Sequence, residues 1–254
     1  MSLVGRGQIV VLEGASLWLL EAARDKAEIQ PHAHHAIQVT FALRGKFEIG
    51  VHGERLAGPV AAVASDTRHT FTGDGAVAFL FVEPESAPGR ALSGELFMRR
   101  PWASIAEGPL AAALPRLQQC LVSRGSAAEL RRIGQSILGS LPAAQGSALP
   151  DHRVRKMMSF VMDHIDASLA LPLAADHVRL SQSRARHIFA EQTGLAFKTY
   201  VLWKRLERAV ALYASGSSLT SAAHHAGFAD SAHLSRTFRR TFGLPAAALQ
   251  LLQA

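Results

Sequence analysis

The sequence predicts an α+β protein of two domains: an N-terminal β-barrel followed by two helices, and a C-terminal all-α domain built on a repeated pair of helices. Three observations carry this reading. Apolar residues alternate with period two through much of residues 9–82, and recur with a period near 3.6 beyond residue 150. The excess positive charge sits almost entirely in the helical part. The chain has 254 residues, with 27 Lys and Arg against 20 Asp and Glu, a formal net charge of +7. Before Pro150 there are 14 basic and 13 acidic side chains, and after it 13 and 7. A small basic region attracts polyanions, nucleic acid foremost. An apolar fraction of 48% with 19% charged residues argues against disorder. No apolar run approaches the ~20 residues that span a bilayer, and the N-terminus does not read as a signal peptide. The lone cysteine, Cys120, has no intramolecular disulfide partner, which points to a reducing cytoplasm.

Taken in order, Ile9–Leu12 and Ser16–Leu20 read as the first strands. Ile37, Val39, Phe41 and Leu43 then alternate with Gln38, Thr40 and Ala42, and Phe47, Ile49 and Val51 with Glu48 and Gly50. The Arg44-Gly45-Lys46 stretch between them is a tight turn. Val60–Val63 and the apolar run Ala76–Val82 bring the total to about seven strands, a sandwich or barrel pattern. After Gly94 the composition turns to Ala, Leu and Gln, and Leu110–Val122 and Ala127–Leu141 read as helices. The domain boundaries follow: 1–94 barrel, 95–141 helical connector, 142–151 linker bounded by Pro142 and Pro150, and 152–254 helical domain.

The helical domain repeats itself. Val154–Ser168 opens it, with Val154, Met157, Met158, Val161 and Ile165 on one face. Leu173–Val178 is short, with Pro172 suited to a first turn. Ser181 caps a helix towards Thr193 that Gly194 ends, and Phe197–Ser215 is long. Leu219–Ala226 is short again, and Asp230 caps a helix to Phe242 that Gly243 ends. His187–Leu195 aligns with Arg236–Leu244 at a constant offset of 49, and Ser181 and Asp230 share it. Two copies of a short helix, a turn and a capped helix are what tandem helix-turn-helix reading of DNA needs. Two such helices enter successive major-groove segments ~34 Å apart. A 19-residue connecting helix spans ~28 Å of that.

The stretch Gly227-Phe228-Ala-Asp230-Ser-Ala-His233-Leu234-Ser-Arg236-Thr-Phe238, continuing through Arg240 and Phe242-Gly243-Leu244, resembles the signature of the AraC/XylS family of bacterial transcription regulators. Arg205-Leu206, Leu219–Ala223 and Ser181…Phe189…Gly194 fit the same pattern, and the resemblance covers about Val154–Leu249. Ala246 departs from it. The resemblance implies groove-facing residues Ser183, Arg186 and His187 in the first recognition helix, and Ser231, Ala232, His233 and Arg236 in the second. Arg186 and Arg236 have the geometry to bond guanine O6 and N7, Ser183, Ser231 and Ser235 to touch base edges or phosphate, and Ala232 to meet a thymine methyl. Lys198, Arg208, Arg239 and Arg240 read as phosphate clamps. Phe189, Phe228, Phe238 and Phe242 read as core.

His32-Ala-His34, then Gln38, Gly45 and a later His69 is similar to the cupin metal pattern, with Gln38 in the usual acid position. This makes the first domain a cupin-like barrel. His32 and His34, two apart, share a face of an extended chain. Three imidazoles suit zinc, iron, nickel or copper, with Gln38 adding a neutral oxygen. Such a set leaves the ion's charge uncompensated and favours an anionic or hydroxide co-ligand. Three readings stay open: a bound metal, a metal-free pocket for an organic effector, and packing alone. His35, His52, His152, His164, His177, His224 and His225 read as structural or solvated, and Cys120 as a packing residue.

Together these readings imply a non-enzymatic, sequence-specific transcription regulator that binds promoter DNA and responds to a small ligand or metal in the barrel. By family analogy it would be a homodimer paired through the two connector helices. The competing readings are a metal-dependent cupin enzyme (dioxygenase- or isomerase-like) fused to a DNA-binding module, and an architectural protein that binds DNA without sequence preference.

Overall fold

The computed structural model describes residues 5–22, 27–141, 149–246 and 249–251. Residues 142–148 of the expected linker lie outside the described residues. The chain divides into two compact units, Met1–Gly146 with Phe238–Ala254, and Ser147–Thr237.

The first unit runs β1 Gly5–Leu12, β2 Ala15–Ala22, β3 Ala27–His32, β4 Ile37–Arg44, β5 Phe47–Val51, β6 Glu54–Ala57, β7 Val60–Val63, β8 His69–Gly73, β9 Ala76–Val82, α1 Ala87–Leu96, β10 Trp102–Ser104, α2 Gly108–Ala112, α3 Leu114–Val122 and α4 Ala127–Ser140. The strands form two sheets, ordered β10-β7-β4-β9-β2-β1 and β3-β8-β5-β6, and among the described residues no ladder joins the two into a closed ring. The Gly58-Pro59 corner, with Gly58 at φ +131°, passes the chain from the small sheet to the large one. Near the end of the chain, β11 Leu249–Leu251 adds a parallel strand to β1.

The large sheet is covered on both faces. Val39, Phe41 and Leu43 of β4, Leu80 and Val82 of β9 and Leu17 and Leu19 of β2 pack against Leu92, Leu110, Leu117, Leu130, Ile133 and Ile137 of the helices. The opposite face carries Trp18, Gln38, Thr40, Phe79 and Phe81, all buried. The unbroken apolar run of β9 follows from this, since both of its faces are out of water. It also buries Gln38 and Thr40, the polar positions of the alternating β4 pattern.

The local chemistry accounts for the boundaries. The sequence predicts one helix over Leu110–Val122, but the structure has two, broken at Ala113, because Pro115 in the first turn of α3 cannot continue a preceding helix. α1 starts at Ala87, ahead of residue 94, where the Ser86 hydroxyl caps it by accepting from the Gly89 amide. Cys120 is buried in the core beneath these helices.

The second unit holds α5 His152–Asp163, α6 Leu171–His177, α7 Gln182–Thr193, α8 Phe197–Ala214, α9 Leu219–His225 and the start of α10 Ser231–Phe242. Val154, Met157, Val161 and Ile165 form one core with Ala174, Ala175, Ile188, Phe189, Phe197, Tyr200 and Val201. The Phe189 ring packs edge-on against Phe197 at 5.3 Å and Tyr200 at 5.2 Å. Arg205 of α8 donates from Nε to the Ile165 carbonyl at 3.0 Å and from Nη2 to Ala167 at 2.6 Å, tying α8 to the chain after α5.

Both repeat copies carry their caps. Ser181 Oγ accepts from Arg184 N, and Asp230 Oδ1 from His233 N. Gly194 and Gly243 end the helices in the left-handed region, at φ +73° and +70°. The turns differ by one residue. In the first copy Arg179 takes φ +55° and the Leu180 amide donates to Ala175 O; in the second Gly227 takes φ +78° and the Phe228 amide donates to Ala223 O. These pairs are 48 apart and the helices after them 49 apart, so Ala229 is the added residue.

Candidate metal centre and nucleic-acid interface

The small sheet of the first unit and the connection that leaves β3 bring three histidines together. His32 ends β3 and stands directly opposite His69, the first residue of β8, in the antiparallel register. His34 lies past the end of β3, in the connection to β4, so a shared strand face does not align it with His32. The chain turn brings it in instead. Ring centroids are 4.3 Å apart for His32 and His69, 5.2 Å for His34 and His69, and 5.6 Å for His32 and His34. One ring nitrogen from each lies within 4.8 Å of the others, and all three residues are buried.

The hydrogen bonds fix the tautomers. Each Nδ1 faces a backbone carbonyl two residues away: His32 to Gln30 at 2.8 Å, His34 to Ala36 at 2.9 Å, and His69 to Thr67 at 2.9 Å. Carbonyls only accept, so each Nδ1 carries the proton and donates it. Each Nε2 is left with a lone pair. Burial, with the neighbouring imidazoles, depresses His32 to about 4 and His34 to about 3, and burial also lowers His69. The rings are therefore neutral at pH 7, the form in which imidazole binds a metal.

Gln38, on the inward face of β4, completes the cluster. Its Oε1 lies 3.1 Å from His34 Nε2 and 3.3 Å from His69 Nε2, while its Nε2 donates to Thr40 Oγ1 at 3.1 Å. Oε1 and the two histidine nitrogens are all acceptors in this arrangement. Acceptors this close repel unless a cation or a proton lies between them. The donor set thus fits a divalent transition metal, with each ligand ring held by a second hydrogen bond to the backbone. Thr40 is the member that sequence reasoning missed. Its position two residues after Gln38 on one strand was the available signal.

His35 faces the other way. Its Nε2 pairs with Glu85 Oε2 at 2.9 Å and its Nδ1 lies 3.5 Å from Asp66 Oδ2. Burial opposes its charge, but the bonds from Asp66 and Glu85 outweigh burial and raise it to about 9. It is a buried cation with two acidic partners. Between β2, β3, β8 and β9 lies a separate apolar cavity of about 30 Å³, lined among others by Leu20, Ile29, Phe71, Val77 and Phe79. That is room for one or two waters.

In the helical repeat, Ser183, Arg186 and His187 are exposed on α7, while Ala185, Ile188 and Phe189 point into the core. On α10, Ala232, Arg236, Arg239 and Arg240 are exposed, and Ser231, His233 and Ser235 are half-buried. The His233 ring packs edge-on against Phe228 at 5.1 Å, which explains its reduced exposure. His187 lies 4.0 Å from Glu191, one turn on. Lys198 and Arg208 are exposed on α8. Phe228, Phe238 and Phe242 are buried. No described helix is long and apolar enough to cross a membrane.

Residues 174–250 match the family model of a helix-turn-helix domain. The arabinose operon regulatory protein of Escherichia coli K12 is 29% identical over 113 residues, covering 43% of this chain and 39% of that protein. The HTH-type transcriptional activator RhaS of Citrobacter koseri is 33% identical over 99 residues, 39% of this chain and 36% of that one. The chain thus spans well under half the length of these curated relatives. Among solved structures, ToxT from Vibrio cholerae O395 shares the fold over 93% of this chain and 96% of its own, with a TM-score of 0.58 and 11% identity. ToxT from strain SCE256 has also been solved with an unsaturated fatty acid bound, at a TM-score of 0.55 and 12% identity over 94% of this chain and 93% of its own.

Proposed function

We propose that the chain is a sequence-specific, DNA-binding transcription regulator of the AraC/XylS type that takes a divalent transition metal in its sheet domain. The observation that carries the DNA reading is the pair of capped helices, α7 and α10, each turning an exposed arginine face outward from a buried core. Arg186 and Arg236, one on each helix, each offer a bidentate donor to guanine. Arg239 and Arg240 add the phosphate contacts that hold the helix in register. The test is selection of duplexes from a random library, followed by titration at fixed salt. Arg236→Ala should cost ~1–3 kcal/mol on the selected site and relax preference at one base pair. Binding that does not distinguish the selected duplex from a random one sinks the assignment and supports an architectural protein.

The metal reading rests on the acceptors gathered by His32, His34, His69 and Gln38. Zinc, iron, nickel and copper all suit imidazole donors. When bound, such an ion supplies positive charge that draws an anionic co-ligand, because no member of the set is a carboxylate. Elemental analysis of untagged protein tests it: near-stoichiometric metal, lost in both His32→Ala and His69→Ala, is expected. Absence of metal after incubation with each ion refutes it. In the same reading the chain pairs with a second copy through the outer faces of α3 and α4, where Val122 is exposed.

A further inference from the structure

The last turn of α10 packs over the histidine cluster. α10 is one continuous helix, but Phe238–Ala254 belongs to the unit that holds the sheets, and Ser231–Thr237 to the helical one. Within the sheet unit the Phe242 ring lies 6.0 Å from His34, 5.5 Å from Phe81 and 4.9 Å from Trp18. Phe238 stacks on Trp18 at 6.2 Å and leans on Phe242 at 4.8 Å. The next residue covers the second ligand. A Cβ on Gly243 would stand 2.8 Å from His32 Nδ1, 2.5 Å from Gln30 O and 2.7 Å from Ile29 Cγ2. So the backbone at Gly243 lies on the same His32–Gln30 hydrogen bond that fixes the His32 tautomer. Two of the three ligand rings are thus in contact with the end of one helix. The exposed side of that same turn carries Arg239 and Arg240.

We propose that the last turn of α10 reads out the occupancy of the cluster: seating an ion on His32, His34 and His69 re-seats Phe242 and Gly243, and so sets the pose of Arg239 and Arg240 on the same turn. This rests on the metal reading above. The three nitrogens lie within 4.8 Å of one another, and an ion that holds all three at about 2.0–2.1 Å fixes their separations and ring poses. His32 and His34 cannot move without moving what is packed on them, because a close-packed interior transmits displacement rather than absorbing it. The coupling works both ways: whatever factor the metal adds to DNA affinity, DNA adds to metal affinity. The first copy of the repeat is an internal control. α7 also ends on a left-handed glycine, but a Cβ at Gly194 would meet nothing within 4 Å.

Hydrogen exchange of the full chain tests this, with one equivalent of zinc or nickel and with a chelator, beside elemental analysis of the same samples. Metal should slow exchange of the amides at 238–243 at least fivefold and leave those at 188–193 unchanged. Phe242→Ala should keep the metal and lose the slowing. If that variant misfolds, the milder Phe242→Leu should keep the metal and reduce the slowing. Stoichiometric metal with unchanged exchange at 238–243 overturns the coupling and leaves the metal reading standing. No bound metal overturns the metal reading, and the coupling with it.

Discussion

Acid should destabilise the chelated protein through its buried histidines, by an amount the structure sets. Burial above all holds His32 near 4 and His34 near 3. The ordinary value in an unfolded chain is 6.5. A folded value below the unfolded one means that unfolding takes up a proton once pH falls below 6.5. Stability is therefore lost from 6.5 down towards 4. Between pH 7 and pH 5 each of the two contributes a loss of about 2 kcal/mol, roughly 4 together. His35 works in the opposite sense. Burial is overcome by Asp66 and Glu85, and its folded value of about 9 gives stability that is full below 6.5 and lost as pH rises through 9. Over the same interval it returns about 1 kcal/mol, leaving a net loss of about 3. That is a large share of the 5–15 kcal/mol typical of a folded domain. Urea unfolding at both pH values, followed by tryptophan fluorescence in chelator, measures it. Carboxylates titrate as well, so the decisive comparison is with His34→Gln, which should lose about 2 kcal/mol less on acidification than the parent. An equal loss in the two proteins refutes the assignment of a buried, neutral His34.

Three further outcomes follow from the same geometry. Gly194→Ala and Gly227→Ala both force alanine into the left-handed region, but only at Gly227 does the new Cβ come within 2.7 Å of a backbone oxygen, that of Ile165. The first should cost about 1 kcal/mol and the second about 3 or more in urea unfolding of the helical unit, and equal costs would show that φ alone decides. Arg239→Ala and Arg240→Ala should each flatten the slope of log affinity against log salt by about one while leaving base preference intact; a changed preference would move them from phosphate to base contacts. Leu117→Ala, fully buried, should cost about 2–5 kcal/mol, and Val122→Ala, 77% exposed on the same helix, close to nothing, by the shift in urea midpoint.

How much was legible depended on whether the signal was local. The caps Ser181 and Asp230 and the stops Gly194 and Gly243 announce α7 and α10 because capping chemistry acts within one turn of chain. The break between α2 and α3 was equally local, at Pro115, yet the apolar spacing across it masked the break. β3 was not legible: Ala-Glu-Ile-Gln-Pro-His has no clean alternation, because Gln30 and Pro31 are both exposed at the edge of the small sheet. α1 hides behind Gly89 and Gly94, residues that oppose helix and are overridden by burial of Ala91 and Leu92. At the histidine site the residue set followed from the likeness to the cupin pattern, but its assembly was not legible. His32 meets His69 through pairing of β3 with β8, and Phe242 arrives from the far end of the chain. No window of sequence contains such partners.

The single residue by which the two turns differ makes the copies non-interchangeable parts. Up to Phe228 the second copy tracks the first in strict phase, and Ala229 then advances α10 by one position. On a helix one position is a turn of about 100°. A graft that moved α7 into the place of α10 by aligning the short helices would rotate every transplanted side chain by that angle, turning His187 away from the direction Arg236 faces. Retargeting by module exchange would have to carry each turn with its own helix, from Ala175 or Ala223 onward, as one indivisible cassette.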